Sequence, residues 1–289
     1  MDSCHGQFIW YELVTTDTAA AKAFYTGVVG WGAQDIAGAS YTLFTTQEGR
    51  PVCGLTSLPE NLVRAGYRPA WLGYVGVDDV DLAADRIAQL GGEIQVPPRE
   101  FPNVSRLAVA LDPQKVTIAV IKWLDGGAPK SGALNTLGSV GWHELLASDS
   151  KTAFAFYAEL FGWQKEGSNS AAADAIQLFS AGGQTIGSIY TKPATAPFPF
   201  WLYCFNVSDI DAAIQRIKMG GGKILDDLHE MPDSNWTLRC ADSQGAIFAL
   251  LGKRSAESDS AARVNWSSDW AGTSLSGKLR VTRIPSDDS

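Results

Sequence analysis

The sequence predicts an α+β protein of two tandem domains, each built from two βαβββ units. The first observation is a repeat: residues 10–31 return as residues 142–163, with 10 of the 22 aligned positions identical. A second repeat relates residues 71–92 to residues 201–222. A spacing this long indicates duplication of a whole domain, since solenoid repeats are far shorter. At 289 residues the chain is long enough for two hydrophobic cores.

The first repeat begins with a strand and continues as a helix. Trp10, Glu12 and Val14 alternate with their neighbours, which is the period of a strand with two different faces. Asp17 stands where a helix N-cap belongs, because its carboxylate can accept a bond from a backbone N–H of the first turn. Gly30 follows the last residue at helical spacing and is expected to end the helix. Residues 142–163 follow the same plan, with Asp149 as the cap.

The remaining elements of domain 1 follow from alternation and turn residues. Strands are predicted over residues 8–15, 40–46, 52–57, 71–77, 93–96, 106–111 and 116–121, with helices over 18–29 and 79–90. In domain 2 we predict a strand over 201–207 and a helix over 209–219. The predicted division is domain 1 over 1–126, a linker rich in Gly, Pro and Ser over 127–136, domain 2 over 137–253, and a polar tail over 254–289, disordered or docked.

Composition limits the class of function. The net charge of −8 argues against a general nucleic-acid binder, whose affinity depends on basic side chains. We find no apolar run long enough to span a bilayer and no signal peptide, so we expect a cytoplasmic protein that does not bind membranes. The four cysteines are widely spaced and form no Cys-x-x-Cys pair, which favours free thiols. We expect a monomer or a weak homodimer.

The paired βαβββ plan resembles the vicinal oxygen chelate superfamily, which includes glyoxalase I, bleomycin-resistance proteins and extradiol dioxygenases. The motifs that carry the resemblance are the WYEL opening, the stretch WLGYVGVDDVD at residues 71–81, the Leu-Gly-Gly helix exit and the Asp-Pro-Gln turn at residues 112–114. They are most similar to tandem, glyoxalase-like "hydroxylase" proteins. The resemblance covers residues 7–253 and implies that each domain forms an open barrel around a binding cleft.

The resemblance also implies where a metal would be bound. Family members hold a divalent metal through side chains on the first and last strands of the units. The corresponding positions here are Trp10, Leu72, Ala119, Trp142, Leu202 and Ala249. None of these side chains is a ligand for Zn²⁺, Fe²⁺ or Ni²⁺. His143 alternates with Trp142 and is expected to point away from the cleft. We therefore predict a cleft without metal and keep a divalent metal as the disfavoured alternative.

The candidate site residues follow from strand alternation and from the repeat. Trp10 and Glu12 share one face of their strand, so both should face the cleft if Trp10 occupies the lost ligand position. An indole offers a planar surface, and a partly desolvated Glu12 would suit a general base. The predicted ligand-binding set is Trp10, Glu12, Tyr74 and Arg106 in domain 1, and Trp142, Glu144, Cys204 and Trp236 in domain 2.

Structural roles remain open for these residues. Glu12 and Glu144 could instead bond to backbone or to a neighbouring Arg, and Arg106 could form a surface ion pair. The leading hypothesis is binding of a small, aromatic or planar organic molecule in a metal-free cleft. One alternative is an enzyme of the superfamily, either a metal-dependent lyase, isomerase or dioxygenase, or a hydroxylase-like catalyst that uses Glu12. Another is a structural or interaction module whose clefts are filled by its own side chains.

Overall fold

The described part of domain 1 contains eight strands and three helices. The computed structural model of the chain describes residues 4–124, 134–167, 176–194, 196–231 and 234–255. The strands are β1 (Phe8–Thr15), β2 (Gly32–Asp35), β3 (Tyr41–Thr45), β4 (Pro51–Ser57), β5 (Ala70–Gly76), β6 (Glu93–Phe101), β7 (Ser105–Leu111) and β8 (Thr117–Trp123). The helices are α1 (Thr18–Val28), α2 (Glu60–Arg64) and α3 (Val80–Gln89).

The strands of domain 1 form one sheet in the order β2-β3-β4-β1-β5-β8-β7-β6. Within each βαβββ unit the first and last strands are parallel neighbours, β1 with β4 and β5 with β8. The two units join where β1 and β5 pair antiparallel, with Trp10 opposite Tyr74. The predicted α+β fold of two tandem domains with paired βαβββ units is confirmed, and each sheet is open.

Domain 2 repeats this topology. Its strands are β9 (Val140–Ala147), β10 (Gln164–Glu166), β11 (Ile176–Ala181), β12 (Gln184–Thr191), β13 (Phe200–Val207), β14 (Lys223–Ile224), β15 (His229–Glu230), β16 (Trp236–Ala241) and β17 (Ile247–Gly252). Its helices are α4 (Ser150–Phe161) and α5 (Ile210–Met219). The strand order is β10-β11-β12-β9-β13-β17-β16-β14, and β15 also pairs with β16.

In domain 1 the sequence analysis located most elements and missed two. Asp17 and Asp149 cap α1 and α4 as predicted, each accepting a backbone N–H of the first helical turn. The missed elements are β2, whose four residues are all exposed and lack an apolar face, and α2, a helix of five residues in the connection between β4 and β5. The predicted polar tail lies outside the described residues from residue 256 onwards, as does most of the predicted interdomain linker. No helix in the described part of the chain could span a membrane.

The two domains pack against each other through their helix-bearing faces. A single hydrophobic cluster contains residues from both domains, including Tyr25, Trp71, Trp163 and Phe205. Smaller clusters lie on the opposite face of each sheet, around Trp10 in domain 1 and Cys204 in domain 2. We call that opposite face the open face. The interdomain contact therefore leaves the open faces available as surfaces.

Tyr25 and Tyr157, which occupy the same position in the two copies of the repeat, each contact the other domain. The Tyr25 hydroxyl donates to Oδ2 of Asp242 at 3.2 Å, and the Tyr157 hydroxyl donates to Oδ2 of Asp112 at 2.9 Å. Each tyrosine oxygen also accepts the indole N–H of a tryptophan in its own domain. The two halves therefore bind each other through reciprocal, equivalent hydrogen bonds. The repeated tyrosines are interface residues as well as helix residues.

The Asp-x-Gln turns also cross the domain boundary. The Gln244 amide nitrogen donates to the carbonyl oxygen of Asp17 at 2.7 Å, and its oxygen accepts the Asp17 N–H at 2.6 Å. Gln114 makes the equivalent pair of bonds with Asp149. Each turn thus fixes the start of a helix in the other domain, where backbone groups would otherwise lack partners.

His143 lies at the centre of the interface, on the helix-bearing face as its alternation predicted. Its Nδ1 is 2.7 Å from the carbonyl oxygen of Ile186, and its Nε2 is 2.7 Å from the hydroxyl of Tyr11. Because a carbonyl oxygen can only accept, Nδ1 carries the proton and Nε2 accepts from Tyr11. Burial lowers the pKa of His143 from 6.5 to about 4. The imidazole is therefore neutral in the folded protein.

This buried imidazole predicts a loss of stability in acid. Below its ordinary pKa of 6.5, His143 takes up a proton in the unfolded chain but stays neutral in the folded chain. The free energy of unfolding should therefore fall by about 3 kcal/mol between about pH 7 and pH 4 on account of this residue. Urea denaturation across this pH range would measure the loss. His143→Gln should lack that part of the slope, and Tyr11→Phe, which keeps the imidazole, should retain it. Parallel curves for wild type and His143→Gln would contradict the assignment.

Candidate functional site

The open face of domain 1 brings together three residues of the predicted ligand-binding set, namely Trp10, Glu12 and Tyr74. Trp10 and Tyr74 are directly opposite each other on β1 and β5, and Ala119 on β8 lies beside Tyr74. Trp10, Tyr74 and Ala119 belong to the cluster on this face. Glu12 projects to the same face, where the Tyr74 hydroxyl donates to its Oε2 at 3.0 Å. The alternation of β1 thus places Glu12 with Trp10 and away from the interdomain core.

Two tyrosines hold the carboxylate of Glu12. Besides Tyr74, the Tyr41 hydroxyl on β3 donates to Glu12, and the Tyr41 oxygen accepts Nε1–H of Trp10 at 3.1 Å. Burial raises the pKa of Glu12, and the two tyrosine hydrogen bonds offset only part of that rise. Both tyrosine hydroxyls have their pKa raised, first by burial and then by the charge of Glu12. The carboxyl group of Glu12 is therefore desolvated, and it takes up a proton more readily than an exposed carboxyl group does.

Gly54 makes the position of Tyr41 possible. It lies opposite Glu12 in the parallel pairing of β1 with β4. A Cβ at this position would overlap the Tyr41 hydroxyl group. The equivalent residue of domain 2 is Ser188, opposite Glu144. A tyrosine that reaches the carboxylate from the position of Tyr41 is therefore particular to domain 1, since the tyrosine that bonds to Glu144 lies on β12.

Trp10 is packed among aromatic side chains and leaves little of its indole exposed. It is 5% exposed, and Trp123 meets it edge to face with the ring centres 5.9 Å apart. Nε1–H of Trp123 is buried and has no hydrogen-bond partner among the described residues. Leu43 and Leu72, which are partly buried, pack beside them. A ligand on this face would meet Trp123, the leucines and Glu12 before it met Trp10.

The open face of domain 2 has a carboxylate at the same position but different partners. Oε2 of Glu144 accepts the Tyr190 hydroxyl at 2.9 Å and a guanidinium N–H of Arg239 at 2.8 Å. Arg239 also donates to Oδ2 of Asp226 at 2.9 Å. The side chains of Arg239 and Glu144 are 13% and 7% exposed. Burial opposes the positive charge, but Glu144 and its neighbours give Arg239 a net rise in pKa.

The two carboxylates therefore differ in charge environment. Glu144 forms an ion pair with a buried Arg, as one of the structural alternatives expected, whereas the bonded partners of Glu12 are uncharged hydroxyl groups. Trp142 and Cys204 lie on the same open face as Glu144, with Cys204 fully buried. Burial raises the pKa of the Cys204 thiol, which disfavours the reactive thiolate.

Two predicted site residues lie on the other face. Arg106 forms two hydrogen bonds of 2.7 Å with Asp81 on α3, and Trp236 belongs to the interdomain core, with Arg254 over its ring. The prediction that they line the clefts was wrong because the strand parity of β7 and β16 was assigned incorrectly. Residues of β7 on the open face lie at odd separations from Asp112, while Arg106 is six residues before it.

Residues that the sequence analysis missed are central to both sites. Val109 pairs with Ala119, and Arg239 pairs with Ala249, so these positions face the open side. Counting across the hairpin turn from Ala119 and Ala249 would have located both. No comparable signal identified Tyr41 or Tyr190, because their contacts with the carboxylates depend on the order of strands in the sheet.

Comparison with known proteins identifies the family of this chain. The family model described as Glyoxalase/Bleomycin resistance protein/Dioxygenase superfamily matches residues 7–120 and 139–250, most of the chain in two copies. The chain belongs to this superfamily. The predicted resemblance is thereby confirmed for both repeats.

Two related proteins align with this chain over most of its length and most of their own. CFP32 of Mycobacterium tuberculosis, named as a candidate glyoxylase, is 29% identical over 246 residues, which cover 84% of this chain and 93% of CFP32. The anthracycline biosynthesis protein DauV of Streptomyces sp. is 27% identical over 265 residues, covering 86% of this chain and 93% of DauV. Each alignment covers more than four fifths of this chain and therefore includes parts of both repeats.

Two solved structures share the fold. The Mn(II)-bound glyoxalase from Novosphingobium aromaticivorans has a TM-score of 0.61 at 15% identity, covering 87% of this chain and 83% of the glyoxalase. A variant of homoprotocatechuate 2,3-dioxygenase from B. fuscum has a TM-score of 0.56 at 13% identity, covering 86% of this chain and 71% of the dioxygenase. At such low identity the likeness concerns the fold alone.

The superfamily's metal positions are in place but carry the wrong side chains. Trp10, Leu72 and Ala119 converge in the open-face cluster of domain 1, as Leu202 and Ala249 do with Trp142 in domain 2. Aliphatic and indole side chains offer no lone pair for a metal. The described residues contain no group of three or more His, Cys, Asp or Glu that could hold one. The residues at these positions therefore do not fit the Mn(II) of the Novosphingobium glyoxalase structure.

Proposed function

We propose that the protein binds a small, planar or aromatic organic molecule on the open face of domain 1, without a metal. The observation that carries this proposal is the desolvated carboxyl of Glu12, held by Tyr41 and Tyr74 in an otherwise apolar cluster. Burial disfavours the charged carboxylate, and the two tyrosine hydrogen bonds offset only part of that effect. Its presence beside apolar surface supports a role in binding.

The indole N–H of Trp123, which has no acceptor among the described residues, supports the same proposal. A buried N–H without an acceptor is unfavourable, and a ligand oxygen could supply that acceptor. Glu12, when protonated, would donate to a second oxygen of the ligand. A planar molecule with carbonyl groups matches these two donors and the apolar side chains around them. The name of the relative DauV, an anthracycline biosynthesis protein, also suits a polycyclic aromatic ligand.

Titration with a hydroxyanthraquinone such as alizarin tests the proposal. We expect saturable quenching of tryptophan fluorescence in the wild type and a loss of much of that quenching in Trp10→Phe. Trp123→Phe should weaken the affinity about tenfold, the effect of one lost hydrogen bond of about 1.4 kcal/mol. Trp142→Phe, which is the domain 2 equivalent of Trp10→Phe, is the matched control. Unchanged affinity in Trp123→Phe, with quenching that persists in Trp10→Phe, would exclude this face as the site.

A second candidate function is catalysis in the same place. The raised pKa of Glu12 favours it as a group that exchanges a proton with a bound molecule. Glu12→Gln keeps the shape and removes the titration. For a substrate that the protein converts, this variant should lose turnover while it retains affinity for a neutral ligand. Unchanged turnover would leave Glu12 with a binding or structural role.

A further inference from the structure

A separate hollow lies on the seam between the two domains. Its volume is about 340 Å³, and its lining includes neither Glu12 nor Glu144. Equivalent segments of the two domains face each other across it, since residues 69–71 and 199–201 open β5 and β13. Each segment ends in a tryptophan, Trp71 or Trp201. We call this hollow the seam groove.

The seam groove is aromatic on the domain 2 side. Phe198 and Phe200 are partly exposed, with ring centres 5.7 Å apart. Trp71 and Trp201 donate their indole N–H groups to tyrosine hydroxyls in the core. The tryptophans therefore present carbon atoms to the groove. Such a lining suits a flat apolar ring.

Lys115 places a positive charge at this aromatic lining. It has a left-handed backbone with a φ of 69°, and its equivalent across the groove is Gly245 with a φ of 93°. Glycine adopts this conformation readily, whereas an L side chain is disfavoured. The chain nevertheless has a lysine here, with its Nζ 3.3 Å from Oε2 of Glu93 and its side chain 65% exposed. Strained residues of this kind cluster at functional sites.

We infer that the seam groove binds a small aromatic anion. Its rings would lie against Phe198 and Phe200, and its carboxylate would accept a hydrogen bond from Lys115. The ammonium group has three N–H donors, so it can bind this anion and Glu93 together. The volume lies at the lower end of the range for ligand pockets, which fits two fused six-membered rings with one anionic group. This site is distinct from the open face and does not depend on the function proposed there.

Calorimetric titration of the full chain with 2-naphthoate and with its uncharged analogue 2-naphthamide tests the inference. The wild type should bind the acid about tenfold more tightly than the amide, the effect of one charge-assisted hydrogen bond. Lys115→Gly should abolish this preference without preventing folding, because glycine suits the left-handed backbone. Phe198→Ala should weaken both ligands. Lys122→Gln, which removes an exposed charge on β8, is the matched control and should change neither affinity.

Two outcomes would overturn the inference. One is equal affinity for the acid and the amide, or no measurable binding of either, in the wild type. The other is loss of naphthoate binding in Trp10→Phe or Trp123→Phe, which would locate the anion on the open face of domain 1. If alizarin fails to bind while naphthoate binds and responds to Lys115→Gly, the proposed function fails and the seam groove stands.

Discussion

Arg239→Met is expected to lower the free energy of unfolding by about 4 kcal/mol, because it leaves two acidic side chains buried without their cation. Glu144 and Asp226 are 7% and 16% exposed, and each bonds to the guanidinium of Arg239. Methionine replaces most of the length of the arginine side chain. The loss of stability therefore reflects the removed charge more than the removed volume. Urea denaturation at neutral pH measures it.

A double variant separates the ion pair from general damage to the sheet. Arg239→Met combined with Glu144→Gln should recover at least half of the loss, since the unpaired charge on β9 is then gone. Arg106→Met is the matched control: its partner Asp81 is 58% exposed, so we expect a change below about 1 kcal/mol. Equal losses for Arg239→Met and Arg106→Met would show that burial of the network contributes little.

Trp163→Ala is expected to cost about 4 kcal/mol, as for other large aromatic residues removed from a core. Trp163 is 2% exposed and stacks on Phe179 with ring centres 4.3 Å apart. Its Nε1–H also donates across the domain boundary to the carbonyl oxygen of Gly6 at 2.6 Å. The variant therefore opens a cavity in domain 2 and removes a bond to domain 1. Denaturation monitored by circular dichroism would show the loss.

The repeat supplies the comparison for this prediction. Trp31 makes the equivalent bond, from its Nε1–H to the carbonyl oxygen of Gly138 at 2.7 Å. Trp31→Ala should therefore cost a similar amount, whereas Met219→Ala, at a side chain that is 79% exposed, should stay within about 0.5 kcal/mol of the wild type. A loss below about 1 kcal/mol for either tryptophan would contradict its role as an interdomain contact.

These contacts explain why the motif of the repeat is retained in both halves. Tyr25 and Tyr157 donate to aspartates of the opposite domain, and the glutamines of the turns fix the opposite helix starts. The open faces are under no such reciprocal constraint. There the glutamate of the repeat bonds to two tyrosines in domain 1, where it is Glu12. In domain 2, where it is Glu144, it bonds to an arginine and one tyrosine. The duplicated core is symmetric, and the candidate sites have diverged.

The sequence by itself determined most elements of domain 1 and the repetition of their plan in domain 2. Strand alternation, the capping aspartates Asp17 and Asp149 and the glycine after each helix act over a few residues, so they can be identified without the fold. The repeat then predicted two domains, and the alternation of β1 placed Glu12 with Trp10. Local alternation also predicted that His143 lies on the opposite face.

Only the tertiary structure decided which side chains meet. Tyr41 reaches Glu12 because β3 and β4 follow β1 in the sheet and Gly54 leaves room for its hydroxyl. Arg239 reaches Glu144 from a strand that lies 95 residues later in the chain. Arg106 and Trp236 were assigned to the wrong face because the wrong parity was given to their separations from Asp112 and Asp242. Such contacts are set by sheet order and register, and these arise from packing between segments far apart in the sequence.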